Sequence, residues 1–166
     1  MLKNFLKPCI YVQLSPTRLT VRDPKTLRFV SEVPEIAVRH PATDKATIVA
    51  VGSAARAAAA NMPNAAVFNP FAHPRSLVSD FTAGVEVFKA FILRVRAKSL
   101  FAPVPVLIIH PLDEPEGGFT PIEIRAFQEM AIGAGASNAR IWLGTALTDE
   151  QLLSDQFPAT GRMLGA

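Results

Sequence analysis

The stretch that decides the fold is VLIIHPLDEPEGGFTPIEIRAFQEMAIGAGASNARIWL, residues 106–143. Residues 106–110 are apolar on both sides, which is typical of a parallel strand covered on two faces. Thr120 and Glu123 have the spacing of a capping box, and a proline stands at the first helical position, so a helix begins there. Residues 139–143 read as the next strand. A helix that joins two parallel strands makes a right-handed crossover, which the stretch therefore predicts.

The N-terminal part of the chain predicts a meander of three antiparallel strands. Residues 9–14 form the first strand, residues 19–21 the second and residues 27–33 the third. Residues 15–17 and 23–25 each contain a proline, which presets a turn dihedral, and they predict the two connecting turns.

A small insertion is predicted between residues 34 and 63. Within it, residues 47–51 form a short strand, and the alanine-rich residues 54–60 form a short helix with Ser53 as candidate cap. Residues 64–80, which are rich in proline and asparagine, are expected to form a loop.

The clearest long helix is predicted over residues 83–98, with Asp80 or Thr82 as its cap. Four apolar side chains at spacings of three or four share its buried face: Val85, Phe88, Ile92 and Val95. The predicted order is three strands, an insertion, a helix, a strand, a helix and a strand. This order is the ribonuclease H-like topology of the α/β class.

The chain is therefore expected to be a single lobe over residues 9–150, with a small inserted subdomain at 34–63. Residues 149–153 are a candidate start of a further helix. Residues 151–166 are expected to form a tail whose flexibility is left open.

The composition excludes several classes of protein. The chain has 166 residues, of which 49% are hydrophobic and 19% charged, so it can bury a core and is not disordered. A net charge of +3 without a dense basic patch argues against nucleic-acid binding. The single cysteine cannot form an intramolecular disulfide, which favours a cytoplasmic setting. The longest apolar run, residues 104–109, is too short to span a bilayer.

Several segments, in their order and spacing, resemble the first lobe of the rod-shape-determining, actin-like MreB family. The segments that carry the resemblance are residues 1–6, 32–38, 49–56, 79–81, 99–103, 124–125 and 133–136. The resemblance implies one lobe of a two-lobed, actin-like ATPase. It runs to about residue 149 and ends before the family's second phosphate loop and adenosine site.

The resemblance also implies a phosphate loop after the first strand, and here that loop is degenerate. The family reads roughly Asp-Leu-Gly-Thr where this chain has Gln13-Leu14-Ser15-Pro16. The carboxylate that helps to place the metal is replaced by Gln13, and Ser15 and Pro16 stand where a glycine would let backbone N–H groups approach phosphate. The family's catalytic glutamate would fall near residues 143–145, which contain no acid.

Other candidate sites are better explained as structure. Gly117-Gly118 follows an acidic run that would repel an anion. His40, His73 and His110 each stand alone in the sequence, whereas a metal site needs several converging ligands. Cys9 lies in a predicted strand and reads as a small buried residue. We therefore expect no catalytic residue, no cofactor and no metal site.

The N-terminus, residues 1–8, has two interpretations. Leu2, Phe5 and Leu6 share one face, and Lys3 and Lys7 flank them, as in a short amphipathic anchor on anionic lipid. Alternatively, the segment is a first turn packed on the domain, because an isolated helix of this length is marginal in water. The resemblance favours the membrane.

The predicted function is that of a non-catalytic actin-like protein related to cell-shape determination. It would act as a cytoskeletal interaction or scaffold domain in the cytoplasm, peripheral to the inner membrane, or as a regulatory lobe that caps filaments. The expected partners are actin-like filament or cell-shape components, or a second copy of the chain, with weak contact to anionic membrane. The alternative is an ATP-binding half-protein that takes its second lobe from a partner chain.

Overall fold

The computed structural model of the protein describes residues 8–73, 76–96 and 101–165. These residues form two sheets and four α-helices. The strands are β1 (Cys9–Leu14), β2 (Leu19–Arg22), β3 (Phe29–Glu32), β4 (Ile36–Arg39), β5 (Thr47–Val51), β6 (Ala65–Phe68), β7 (Val106–Pro111), β8 (Asn138–Leu143) and β9 (Arg162–Leu164). The helices are α1 (Ala55–Ala60), α2 (Phe81–Val95), α3 (Pro121–Gly133) and α4 (Asp149–Ser154).

The larger sheet has the strand order β3-β2-β1-β7-β8-β9. Strands β1, β2 and β3 form the predicted antiparallel meander. Strand β7 lies between β1 and β8 and is parallel to both, so the stretch at 106–143 is a strand–helix–strand unit as predicted. Strand β3 begins later than predicted because Leu27 belongs to the preceding turn. Its φ is 61°, and its N–H donates to the Asp23 carbonyl, which closes the turn.

Helices α2 and α3 cover one face of this sheet. The covered face carries alternate residues of the central strands, such as Ile10 and Val12 of β1 and Leu107 and Ile109 of β7. The side chains of α2 that fill the core include Phe88, which was predicted to be buried there. Burial of such a side chain contributes about 1.5–3 kcal/mol, so this layer supplies most of the hydrophobic stabilisation.

The ends of both long helices follow from their capping residues. Helix α2 begins two residues before the predicted start, because the Asp80 side chain accepts from the Ala83 N–H at 2.9 Å and caps it. Helix α3 has the predicted capping box, in which Thr120 Oγ1 accepts from the Glu123 N–H and Glu123 Oε2 accepts from the Thr120 N–H at 2.8 Å. The shared acceptors satisfy N–H groups that a helix start otherwise leaves unpaired.

The opposite face of the sheet is covered by residues 144–160. Tyr11, Ile108 and Trp142 project from it and form a second core with Leu147 and Leu152. The Trp142 ring also packs against Phe157, with the ring centroids 5.7 Å apart.

The expectation of a tail at residues 151–166 is therefore wrong for the described part of that range. Strand β9 pairs antiparallel with β8, and α4 is held by a second capping box between Thr148 and Gln151. The physical reason is that Trp142 exposes a large apolar surface on this face, and the segment after β8 buries it.

The inserted unit is a three-stranded antiparallel sheet in the order β5-β4-β6, with α1 packed on it. Its strands lie within residues 36–68, whereas the predicted insertion was 34–63. Residues 65–68 were expected to be loop but form β6, because they pair with the central strand β4 over its whole length.

The prediction that Ser53 caps the alanine-rich helix is wrong. A 3₁₀ turn over Gly52–Ala54 precedes α1, whose N-cap is Ala54, without a side-chain hydrogen bond. The Ser53 N–H instead donates to Glu32 Oε2 at 2.8 Å, which attaches this turn to the end of β3.

Candidate functional site

The candidate site, the strand-end site, lies at the edge of the larger sheet where β1, β7 and β8 end. These three strands run in the same direction, so the residues that follow Leu14, Pro111 and Leu143 come together at one edge. Ligands of α/β sheets generally bind at the carboxyl ends of parallel strands. The turn after β1, which the resemblance aligns with a phosphate loop, and the segment after β8 meet there.

The turn after β1 is closed by its own hydrogen bonds. The Ser15 N–H donates to the Arg18 carbonyl at 2.9 Å, and the Arg18 N–H donates to Ser15 Oγ at 3.1 Å. Pro16 has no N–H, and its carbonyl accepts from Asn69 Nδ2 at 2.6 Å. The Ser15 and Arg18 N–H groups are therefore used within the turn, whereas a phosphate cradle needs such donors directed outward.

Gln13 occupies the position at which the resemblance would place a metal-positioning carboxylate. It is half-buried on β1, in register with His110 of β7 and Thr20 of β2. A neutral amide cannot balance the charge of a divalent cation as a carboxylate does. The position therefore lacks the charge that the chemistry of such a loop requires.

The segment after β8 carries no acidic residue at 143–145, and its first residues are used for packing. Leu143 is buried, and the Thr145 carbonyl accepts from Trp142 Nε1 at 2.8 Å. The carboxylate of Asp149, at the start of α4, lies 3.1 Å from Arg22 Nε of β2 in an ion pair. Arg22 Nη2 also donates to the Leu147 carbonyl at 2.9 Å, so this arginine fastens the segment to the sheet.

A buried tyrosine–histidine pair, which was not predicted from the sequence, lies beneath this segment. Tyr11 Oη is 2.6 Å from His110 Nδ1, and it also accepts from the Leu147 N–H at 3.2 Å. Burial lowers the pKa of His110, against a backbone hydrogen bond with Gly144 that raises it. Burial raises the pKa of the Tyr11 hydroxyl, so in both side chains it favours the neutral form.

A signal for this pair exists in the alternation of the strands. Tyr11 and His110 are separated by 99 residues in the chain, but each stands among apolar neighbours at a position facing the same side of the sheet. Parallel pairing of β1 with β7 then brings them together. His110 is solitary in the local sequence because its partner is remote in the chain.

The remaining candidates from the sequence form no common site. Cys9 packs at the edge of the second core, and burial raises the pKa of its thiol to about 12. Gly117 and Gly118 both have positive φ, at 87° and 80°, in the loop where Glu114 forms an ion pair with Arg162. His40 and His73 are exposed.

Two negative findings apply to residues 8–73, 76–96 and 101–165. Within them no three His, Cys, Asp or Glu side chains are grouped as a metal site would require. In the same ranges no helix has the length and apolar character needed to cross a membrane. The proposed anchor residues Leu2, Lys3, Phe5, Leu6 and Lys7 lie outside the described residues.

An apolar groove of about 270 Å³ lies apart from the strand-end site, between residues 76–81 and the first turns of α3. Phe81 and Ile122 line it and are exposed, and neither the turn after β1 nor the segment after β8 contributes to its wall.

The chain matches no protein-family model and no curated protein sequence. Its fold does match solved structures. Two of them are MreB5 of Spiroplasma citri bound to AMPPNP and the same protein bound to ADP, each at a TM-score of 0.58 and with 17% and 19% sequence identity respectively. The matches cover 81% and 82% of this chain but only 38% of the MreB5 chain in each structure. At this identity the likeness concerns the fold, and it shows that this chain has an actin-like, MreB-like fold.

Proposed function

We propose that the chain is a non-catalytic, actin-like scaffold domain that binds protein partners of the cytoskeletal class. Its fold would be one ribonuclease H-like lobe with a small inserted subdomain. The observation that carries the proposal is the closed turn at residues 15–18 next to Gln13. A domain of this fold without a usable phosphate loop retains its surfaces for association.

Three features of the strand-end site support a role without catalysis. The turn after β1 bonds to itself, the position of the expected carboxylate is Gln13, and Gly144 and Thr145 lie against Trp142. Placing a metal and activating water each require groups with suitable charge and direction, and loss of one such group typically lowers a rate by orders of magnitude.

Protein partners are proposed from the likeness to actin-like proteins, which assemble with copies of themselves. The expected partners are an actin-like filament, another cell-shape component or a second copy of this chain. The domain would act at the cytoplasmic face of the membrane, where residues 1–7 would add weak contact with anionic lipid.

A nucleotide-binding measurement tests the non-catalytic part of the proposal. We expect the purified chain to show neither saturable binding of ATP with Mg²⁺ by calorimetry nor steady phosphate release. The matched variant is Gln13→Asp, which restores the charge but leaves the closed turn. We expect it to behave like the parent, because the turn still offers no cradle. Steady turnover by the parent that is lost on changing residues 13–16 would contradict the proposal.

A sedimentation experiment tests the scaffold part and separates the alternative. We expect the chain to self-associate, or to pellet with preassembled filaments of an MreB protein, equally well with and without added ATP. If the chain is instead an ATP-binding half that takes its second lobe from a partner, ATP should be required for the complex. A monomer that stays in the supernatant under both conditions would refute the scaffold function.

A further inference from the structure

Tyr11 and His110 are hydrogen-bonded to each other in the buried second core. The two side chains are 1% and 5% exposed, so water does not replace a lost partner. The Tyr11 oxygen accepts from the Leu147 N–H, which leaves its hydrogen to be donated to His110 Nδ1. His110 Nδ1 is therefore an acceptor, and the ring carries its proton on Nε2.

His110 also lies against the backbone of Gly144. The hydrogen bond of His110 with the Gly144 backbone raises the pKa of His110, and this is the direction expected when the imidazole donates to a carbonyl. Neutral His110 is thus bonded at Nδ1 to the Tyr11 hydroxyl. Through Gly144 on one side and through Tyr11 and Leu147 on the other, it is bonded to both ends of the segment 144–147.

We propose that Tyr11 and His110 form a proton-sensitive latch, which holds residues 144–152 against the sheet while the imidazole is neutral and releases them when it gains a proton. The latch is a property of this chain beyond the proposed scaffold function and does not depend on it.

The reason for release is a conflict of donors. An imidazolium carries a hydrogen on both nitrogens, so Nδ1 can no longer accept from the Tyr11 hydroxyl. If the Tyr11 hydroxyl rotates so that its oxygen accepts from Nδ1, the hydroxyl hydrogen loses its acceptor. If it does not rotate, the hydroxyl hydrogen and the hydrogen on Nδ1 point at each other. Either arrangement leaves a buried polar group unsatisfied, which opening of the segment to water relieves.

The charged surroundings act in the same direction. In the described parts of the chain, Arg22 of β2 lies with its guanidinium carbon 5.5 Å from the centre of the Tyr11 ring, on the same face as the pair. Its countercharge, Asp149 of α4, is already engaged with it. Strand β8 contributes the uncharged Trp142. A second cation at His110 therefore finds no free carboxylate among these neighbours.

The direction of the pH effect follows from the burial of His110. With the segment closed, its pKa lies below the ordinary value of 6.5, and with the segment open it returns towards that value. The open form therefore binds the proton more tightly. The closed form is fully favoured above pH 6.5, and the segment opens as the pH falls below it.

The only tryptophan of the chain reports on the segment. Trp142 donates its indole N–H to the Thr145 carbonyl, inside the part that the latch holds. Its fluorescence is measured between about pH 8 and about pH 5, with far-UV circular dichroism recorded on the same samples. We expect a reversible change in emission with its midpoint below pH 6.5, while the dichroism stays constant.

Two matched variants decide whether His110 is the group that titrates. His110→Gln should abolish the transition, whereas His40→Gln, at an exposed histidine, should leave its midpoint and amplitude unchanged. A flat emission profile in the wild type, or a transition that survives in His110→Gln, would overturn the latch.

A second measurement applies even if His110→Gln does not fold. In the wild-type chain, NMR follows the carbon-bound ring protons of His110 and the amide of Leu147 over the same pH range. The latch requires one midpoint for both signals. A His110 titration that leaves the Leu147 amide unshifted would overturn it.

Discussion

Gly144, directly after β8, has no room for a side chain, so Gly144→Ala should destabilise the protein. A Cβ built there would lie 2.7 Å from Trp142 Cζ2 and 2.9 Å from the Gly161 Cα, whereas ordinary van der Waals contact begins at 3.4 Å. The indole is fully buried and the Gly161 neighbour is backbone, so neither can yield freely. Overpacking of this kind costs about 1–3 kcal/mol. The lower entropy of the unfolded chain with alanine offsets about 0.4–1 kcal/mol of that cost.

The net loss of unfolding free energy should therefore be about 1–2 kcal/mol. Urea unfolding followed by Trp142 fluorescence and by far-UV dichroism measures it. For a chain of this size each 1 kcal/mol lowers Tm by about 2–4 °C, which gives a second estimate from thermal unfolding.

A comparison in the background of Trp142→Phe isolates the steric cause. Phenylalanine lacks the distal part of the indole, so Gly144→Ala should cost less there, with part of the cost remaining at the Gly161 backbone. Gly135→Ala is the control for glycine itself, because nothing lies within 4 Å of its Cβ position and only its φ of 98° opposes alanine. That variant should leave the Trp142 emission of the folded protein unchanged. An equal cost of Gly144→Ala in both backgrounds would refute the contact with the indole.

Three further predictions concern other parts of the chain. The full chain should pellet weakly with anionic vesicles and less so at high salt, and Phe5→Asp or removal of residues 1–7 should abolish this; equal recovery of the truncated chain would rule out the anchor. Thr120→Ala should lower the unfolding free energy by about 0.5–2 kcal/mol, since it removes the cap of α3, and an unchanged urea midpoint would show that the cap is dispensable. Cys9 should react with iodoacetamide far more slowly in the folded than in the urea-unfolded protein at mildly alkaline pH, because burial raises its pKa to about 12 and keeps the thiol protonated; equal rates would contradict that burial.

The alternation and capping signals located most of the larger sheet and both long helices. The apolar run at 106–110 and the capping box at Thr120 have local causes, and the structure has both where they were predicted. Ser53 shows where such reasoning fails. A serine before an alanine run has the composition of a cap, but Ser53 lies inside a 3₁₀ turn that Glu32, 21 residues away, binds, and the N-cap of α1 is Ala54. Long-range contacts of that kind leave no local pattern.

At the strand-end site, too, some features follow from the sequence and others only from the tertiary structure. The residue types at positions 13–16 are evident in the sequence alone: Gln13 carries no charge and Pro16 has no N–H group, whatever the surroundings. That the turn closes on itself, and that Asn69 holds the Pro16 carbonyl, required the tertiary structure.

The sequence alone determined the order of β1, β2, β3, α2, β7, α3 and β8, the capped helix starts and the absence of a carboxylate at Gln13, since these depend on residue type and on spacings of a few positions. Only the tertiary structure decided that Tyr11 meets His110, that β9 extends the sheet and that residues 65–68 pair with β4. Each of these depends on which distant segments lie side by side. Which segments pair depends on burial of the whole core. The hydrophobic effect is proportional to the total apolar area removed from water and is not directional, so it does not depend on where two residues stand in the chain.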